Sequence, residues 1–208
     1  MKTLVIHPKD DSTDFLSAIY NKLEDVTLVT GGWTQAQILE GIESHDQIMF
    51  MGHGSPGGLF SLGAFDFFGP ILSYKVIQAL KEKDNTIFIW CNADQFVKRY
   101  NLKGFYTGMF ISEETEAIYC NLKGVSGEEI KNSNDEFARL LGLKILAGAR
   151  SAKVIHKEVC SSYGLLAEIN KVAKYNFERL YFNDKEIEIT FEEFFSINFD
   201  AIDDFNET

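Results

Sequence analysis

Residues 85–91 read NTIFIWC, a run that stays apolar from Ile87 to Trp90 without alternating polar positions. A strand of that kind is covered on both faces and belongs near the middle of a parallel sheet. Upstream of it, ILSYKVIQALKEK (71–83) carries apolar residues at helical spacing, and DQIMFMGHG (46–54) is a second apolar strand ending in glycines. Downstream, ADQFVKRYNL (93–102) reads as a helix and GFYTGMFI (104–111) as another strand. Strands that alternate with helices need crossover connections, and these are right-handed. The expected fold class is therefore α/β, three-layer, with a mostly parallel sheet of five or six strands and helices on both faces.

The rest of the chain continues the alternation. TLVIHP (3–8) is a strand ended by Pro8, STDFLSAIYNKL (12–23) a helix, VTLVTG (26–31) a strand, and TQAQILEGIESH (34–45) a helix with Thr34 as N-cap. SPGGLFSLGAFDFFGP (55–70) is a loop rich in Gly and Phe. SEETEAIYCNL (112–122) and NDEFARLLGLKIL (134–146) are further helices, residues 151–182 are helical over much of their length, and KEIEITF (185–191) is an expected edge strand. With no linker and no internal repeat, residues 1–208 form one domain with a helical and acidic extension from about residue 150.

Composition narrows the class. Of 208 residues, 45% are hydrophobic and 25% charged, which is the balance of a folded domain. No run approaches the roughly 20 apolar residues that cross a bilayer, and the opening residues break into Pro and acids too early for a secretory signal, so a cytoplasmic protein without membrane contact is expected. A net charge of −11 without a basic cluster argues against nucleic acid as partner. Cys91, Cys120 and Cys160 are too few and too irregularly spaced for a disulfide framework. The 18 Phe and 8 Tyr serve mainly the core, and an exposed aromatic patch would mark a homo-oligomer interface or a protein partner.

In a parallel sheet, active sites gather at the carboxyl ends of strands. His53 follows one apolar strand and Cys91 ends the next, so a right-handed unit brings imidazole and thiol to one rim. A free thiol is mostly protonated near neutral pH, and an adjacent imidazole can relay its proton. The backbone N–H groups of Gly54 and Cys91 are candidate oxyanion donors, and the glycines around His53 would let a substrate approach closely. Asp94, Ser112 and Glu113 follow strand ends on the same rim and are candidate substrate-binding residues for a basic side chain, with helix capping as the plainer role for these acids. His7 also ends a strand, while His45 and His156 fall on helices or the surface.

A strand followed by His-Gly, then a spacer with a helix, then a strand ending in Cys resembles the caspase-like (clan CD) cysteine peptidases, over roughly residues 1–120, and TGMFISEETEA resembles the segment after their nucleophile. The resemblance implies a six-stranded sheet, a His53–Cys91 dyad, Gly54 helping to hold an oxyanion, and cleavage of a peptide or protein substrate without a cofactor. The context WCNAD departs from the QAC type of caspases, and no activation segment follows it. Two other chemistries fit GHGSPGG: a phosphate cradle, though no GK[ST] or GxGxxG pattern supports it, and a metal site, since GHGS resembles the histidine motif of sirohydrochlorin chelatases. His53 and Cys91 alone supply too few ligands for zinc, and no bound metal is expected.

Overall fold

The computed structural model describes residues 1–65, 70–149 and 151–184. Six strands form one sheet. In chain order they are β1 (Thr3–Ile6), β2 (Val26–Val29), β3 (Gln47–Met51), β6 (Thr86–Ile89), β7 (Gly104–Thr107) and β8 (Leu180–Asn183), with a short hairpin of β4 (Gly54–Ser55) and β5 (Gly58–Leu59) after β3. The spatial order is β2-β1-β3-β6-β7-β8. All neighbours pair in parallel except β8, which runs antiparallel to β7 and closes that edge. β3 and β6 lie side by side, with Met51 opposite Ile89.

The pleat assigns alternate residues of the central strands to two cores. Leu4, Ile6, Phe50 and Phe88 meet α1 (Gln35–Ser44), α2 (Tyr74–Lys81) and α3 (Ala93–Tyr100) through Ile38, Ile42, Val76, Leu80 and Phe96. Val5, Met49, Met51, Ile87 and Phe105 meet α5 (Gly127–Leu146) and α6 (Ala152–Ala167) through Phe137, Leu141, Ile155 and Val159. Helices therefore cover both faces, as the unalternated strands require. α4 (Glu114–Tyr119) and α7 (Lys171–Phe177) complete a third cluster around Ile111, Ile130 and Val172.

Thr34 caps α1 with a full capping box: its hydroxyl accepts from Gln37 N–H and its own N–H donates to Gln37 Oε1. Four expectations change in detail. Residues 12–23 give only a 3₁₀ helix, Asp14–Ile19, where the Asp10 and Thr13 side chains bond nearby backbone and compete with an α-helix. The Gly-rich loop contains the β4–β5 hairpin. The stretch after residue 150 is no appendage, because α6 places Ile155, Val159 and Tyr163 in a main core, and its helical reading ends at β8, whose Leu180–Asn183 pair with β7. The strand expected at 185–191, and the acidic tail with it, lie outside the described residues. Among the described residues no helix is long and apolar enough to cross a membrane.

Candidate active site

The β3–β6 pairing sets the geometry. His53 lies two residues beyond β3 and Cys91 two beyond β6, and both side chains line one crevice with Trp90, Phe110, Ser112 and Glu116. The free space in it is about 20 Å³, room for about one water molecule. Asn92, in the left-handed conformation at φ 64°, makes the sharp turn from Cys91 into α3. Thr107 Oγ1 donates to the Trp90 carbonyl at 2.9 Å and so ties this turn to the end of β7.

Each half of the expected dyad is held by other groups, and no hydrogen bond joins them. The Cys91 thiol lies 3.2 Å from Glu116 Oε1 and 3.3 Å from the Phe110 carbonyl, two acceptors that favour S–H over thiolate. Burial first, and the Glu116 carboxylate second, push its pKa far above the ordinary thiol range. His53 Nε2 lies 2.7 Å from Ser12 Oγ and 3.1 Å from Asp10 Oδ2. Its side chain is 28% exposed.

The segment that carries Phe110 and Ser112 is fixed from behind. Asn176 on α7 accepts from Ile111 N–H at 2.7 Å and donates back to the Ile111 carbonyl at 2.9 Å. Asn134 on α5 donates to the Ser112 carbonyl at 2.8 Å. Glu116 has two tasks, since its Oε2 accepts from the N–H groups of Ser112 and Glu113 while Oε1 meets the thiol. It is the N3 residue of the capping box that opens α4.

GHGSPGG is built around an indole. A methyl group on Gly54 would lie 2.3 Å from Trp90 Cδ1, and Trp90 Nε1 donates to the Ser55 carbonyl at 3.1 Å. The absence of a Cβ at Gly54 therefore makes room for Trp90. Phe60 N–H donates to the His53 carbonyl, which puts the next pair, Gly54 and Leu59, in the alternate position without mutual hydrogen bonds. The Gly54 N–H thus turns away from β5, and the Cys91 N–H has no acceptor among the described residues. Of the two residues, Cys91 lines the crevice and Gly54 lies beside it, next to His53 in the chain.

The other candidates divide. Ser112 lines the crevice. Glu113 lies in a neighbouring open groove of about 500 Å³. Its side chain caps α4 and accepts from the Thr115 hydroxyl. Asp94 is not brought in, since its carboxylate pairs with Lys98 one turn along α3 at 3.0 Å. The groove holds Asp11, Asp14, Glu113, Glu114 and Asp135 against Lys131 as its one lysine. His7 is enclosed, bonded to Tyr20 Oη and Thr13 Oγ1, and burial holds its pKa down at about 4.

Sequence reading missed Asp10, Ser12 and Glu116. The first two follow β1 and could have been found by inspecting every strand end on this rim. Glu116 was visible only as part of the helix expected at 112–122. The chain matches no protein-family model, no curated protein and no solved structure.

Proposed function

We propose that this chain is a caspase-like cysteine endopeptidase domain, with Cys91 as nucleophile, His53 as its proton acceptor and donor, and the N–H groups of Gly54 and Cys91 as oxyanion donors. One observation carries the reading: His53 and Cys91 leave adjacent parallel strands at their carboxyl ends and line the same crevice. In the resting protein the thiol keeps its proton on the Glu116 and Phe110 side. Catalysis then requires a substrate that displaces this contact and lets S–H reach the imidazole, so that thiolate attacks the scissile carbonyl and the imidazolium returns the proton to the leaving amine. The acid-lined groove that shares Phe15 and Ser112 with the crevice suits a substrate with Arg or Lys beside the scissile bond.

The test is hydrolysis of fluorogenic peptides carrying Arg, Lys, Asp or a neutral residue before the reporter. Cleavage after Arg or Lys by the wild type and none by Cys91→Ala supports the proposal. Absence of cleavage from every peptide contradicts it. A second reading then takes its place, favoured by the Cys91–Glu116 contact: a non-catalytic domain of the same fold whose rim binds a partner. The carboxylates of Asp10, Glu116 and the groove favour a basic protein segment over an anionic ligand there.

A further inference from the structure

We infer that Asp10 and Ser12 fix the His53 imidazole as its Nε2–H tautomer, so that Nδ1 is the nitrogen left to take the proton of the Cys91 thiol. The inference rests on the peptidase reading for its catalytic meaning and on the loop after β1 for its geometry. Asp10 Oδ2 lies 3.1 Å from Nε2 as an ion-pair contact, and an ionised carboxylate there favours a proton on that nitrogen. Ser12 has a single hydroxyl proton and Asp10 Oδ1 at 2.9 Å takes it. The Ser12 oxygen, 2.7 Å from Nε2, is then the acceptor for its N–H. Nδ1 has no partner among the described residues. Ser12 is thereby excluded as a nucleophile, since its proton points to Asp10 and no acid holds the far side of the ring.

The carboxylate is itself held in place. Ser12 N–H and Thr13 N–H donate to Asp10 Oδ1 at 3.0 and 3.2 Å. Burial works against the charged form, yet the Ser12 bond, His53 and these backbone donors leave the Asp10 pKa below its ordinary value. When the thiol proton moves to Nδ1, the S–H bond breaks, an N–H bond forms, and the imidazolium lies against the Asp10 carboxylate. Asp10 is thus a positioning residue acting through His53. The other titratable groups near the ring are His7 at the end of β1, and Cys91 and Glu116 across the crevice. His7 stays neutral above about pH 4 and so adds no charge in the working range.

The test is long-range ¹H–¹⁵N correlation of the His53 ring through a pH titration, in wild type, Asp10→Asn and Ser12→Ala, with thermal melts confirming that each variant folds. The wild type should show Nε2–H at alkaline pH, and both Asp10→Asn and Ser12→Ala should raise the share of the Nδ1–H tautomer. In the variants kcat should fall in step with the Nε2–H share while KM stays unchanged. A wild-type Nδ1–H tautomer, or an unchanged tautomer share in both variants, overturns the inference. The expected tautomer, and its loss in the variants, in a protein that cleaves no peptide would leave the positioning of His53 standing and remove the peptidase reading.

Discussion

The molecule holds two cysteine–histidine neighbourhoods, and the one with the closer pair is the poorer candidate for chemistry. Cys160 and His156 sit one turn apart on α6, with Sγ and Nε2 separated by 3.4 Å. That same Nε2 lies 3.1 Å from the Leu180 carbonyl, an acceptor that requires the proton to be on this nitrogen, so it cannot take the thiol proton. The ring is also in contact with Phe105 and Phe182, and burial alone pushes the Cys160 thiol up to about 11. Cys91 and His53 are not hydrogen-bonded, yet they share a rim with two unspent backbone N–H groups and a histidine whose Nδ1 is free. Contact between imidazole and thiol is thus less informative than the tautomer of the ring and the donors around the sulfur.

The sharpest way to break this comparison is to remove each imidazole in turn. His53→Ala should lower the rate of peptide cleavage by about 10²- to 10⁴-fold, the worth of a positioned proton acceptor, while His156→Ala leaves it within about twofold. Equal losses in steady-state kinetics would erase the distinction between the two sites.

A third ring, His7, extends the comparison to stability. The unfolded chain takes up a proton near pH 6.5 that the folded, buried ring refuses until about pH 4. Stability present above pH 6.5 is therefore lost as pH falls from 6.5 to about 4, by up to about 3 kcal/mol from this group. Urea midpoints of wild type and His7→Gln should converge as the pH falls through that window, and parallel curves would show that His7 titrates normally.

Of the three effects, the smallest is expected at the thiol. Glu116→Gln keeps a capping side chain at N3 but removes the carboxylate beside the sulfur. Burial still raises the Cys91 pKa, so alkylation by iodoacetamide at mildly alkaline pH should rise by no more than about tenfold, with Cys160 unaffected. An unchanged Cys91 rate would mean that burial alone silences the thiol.

Much of this arrangement was legible in the residues. The unalternated runs 47–51 and 86–90 announce central parallel strands, and the rule that sites gather at carboxyl ends leads directly to His53 and Cys91. What the sequence hid depended on side chains meeting across elements. No spacing rule predicts that Glu116 on α4 reaches back to Cys91, or that the glycine beside His53 accommodates Trp90. β8 was hidden because RLYFN continues a helical pattern, and only the open edge of β7 converts it to a strand.

The proposal to be tested is that Cys91, with His53 as its partner, is the cysteine acylated once a substrate displaces the thiol from Glu116. Its most direct test is labelling of the native protein by an arginyl chloromethyl ketone, followed by site-resolved mass spectrometry in wild type and His53→Ala. The account predicts rapid modification of Cys91, slow modification of Cys120 and Cys160, and loss of the preference in His53→Ala. A Cys91 that stays unmodified, or that reacts equally well without His53, would contradict it.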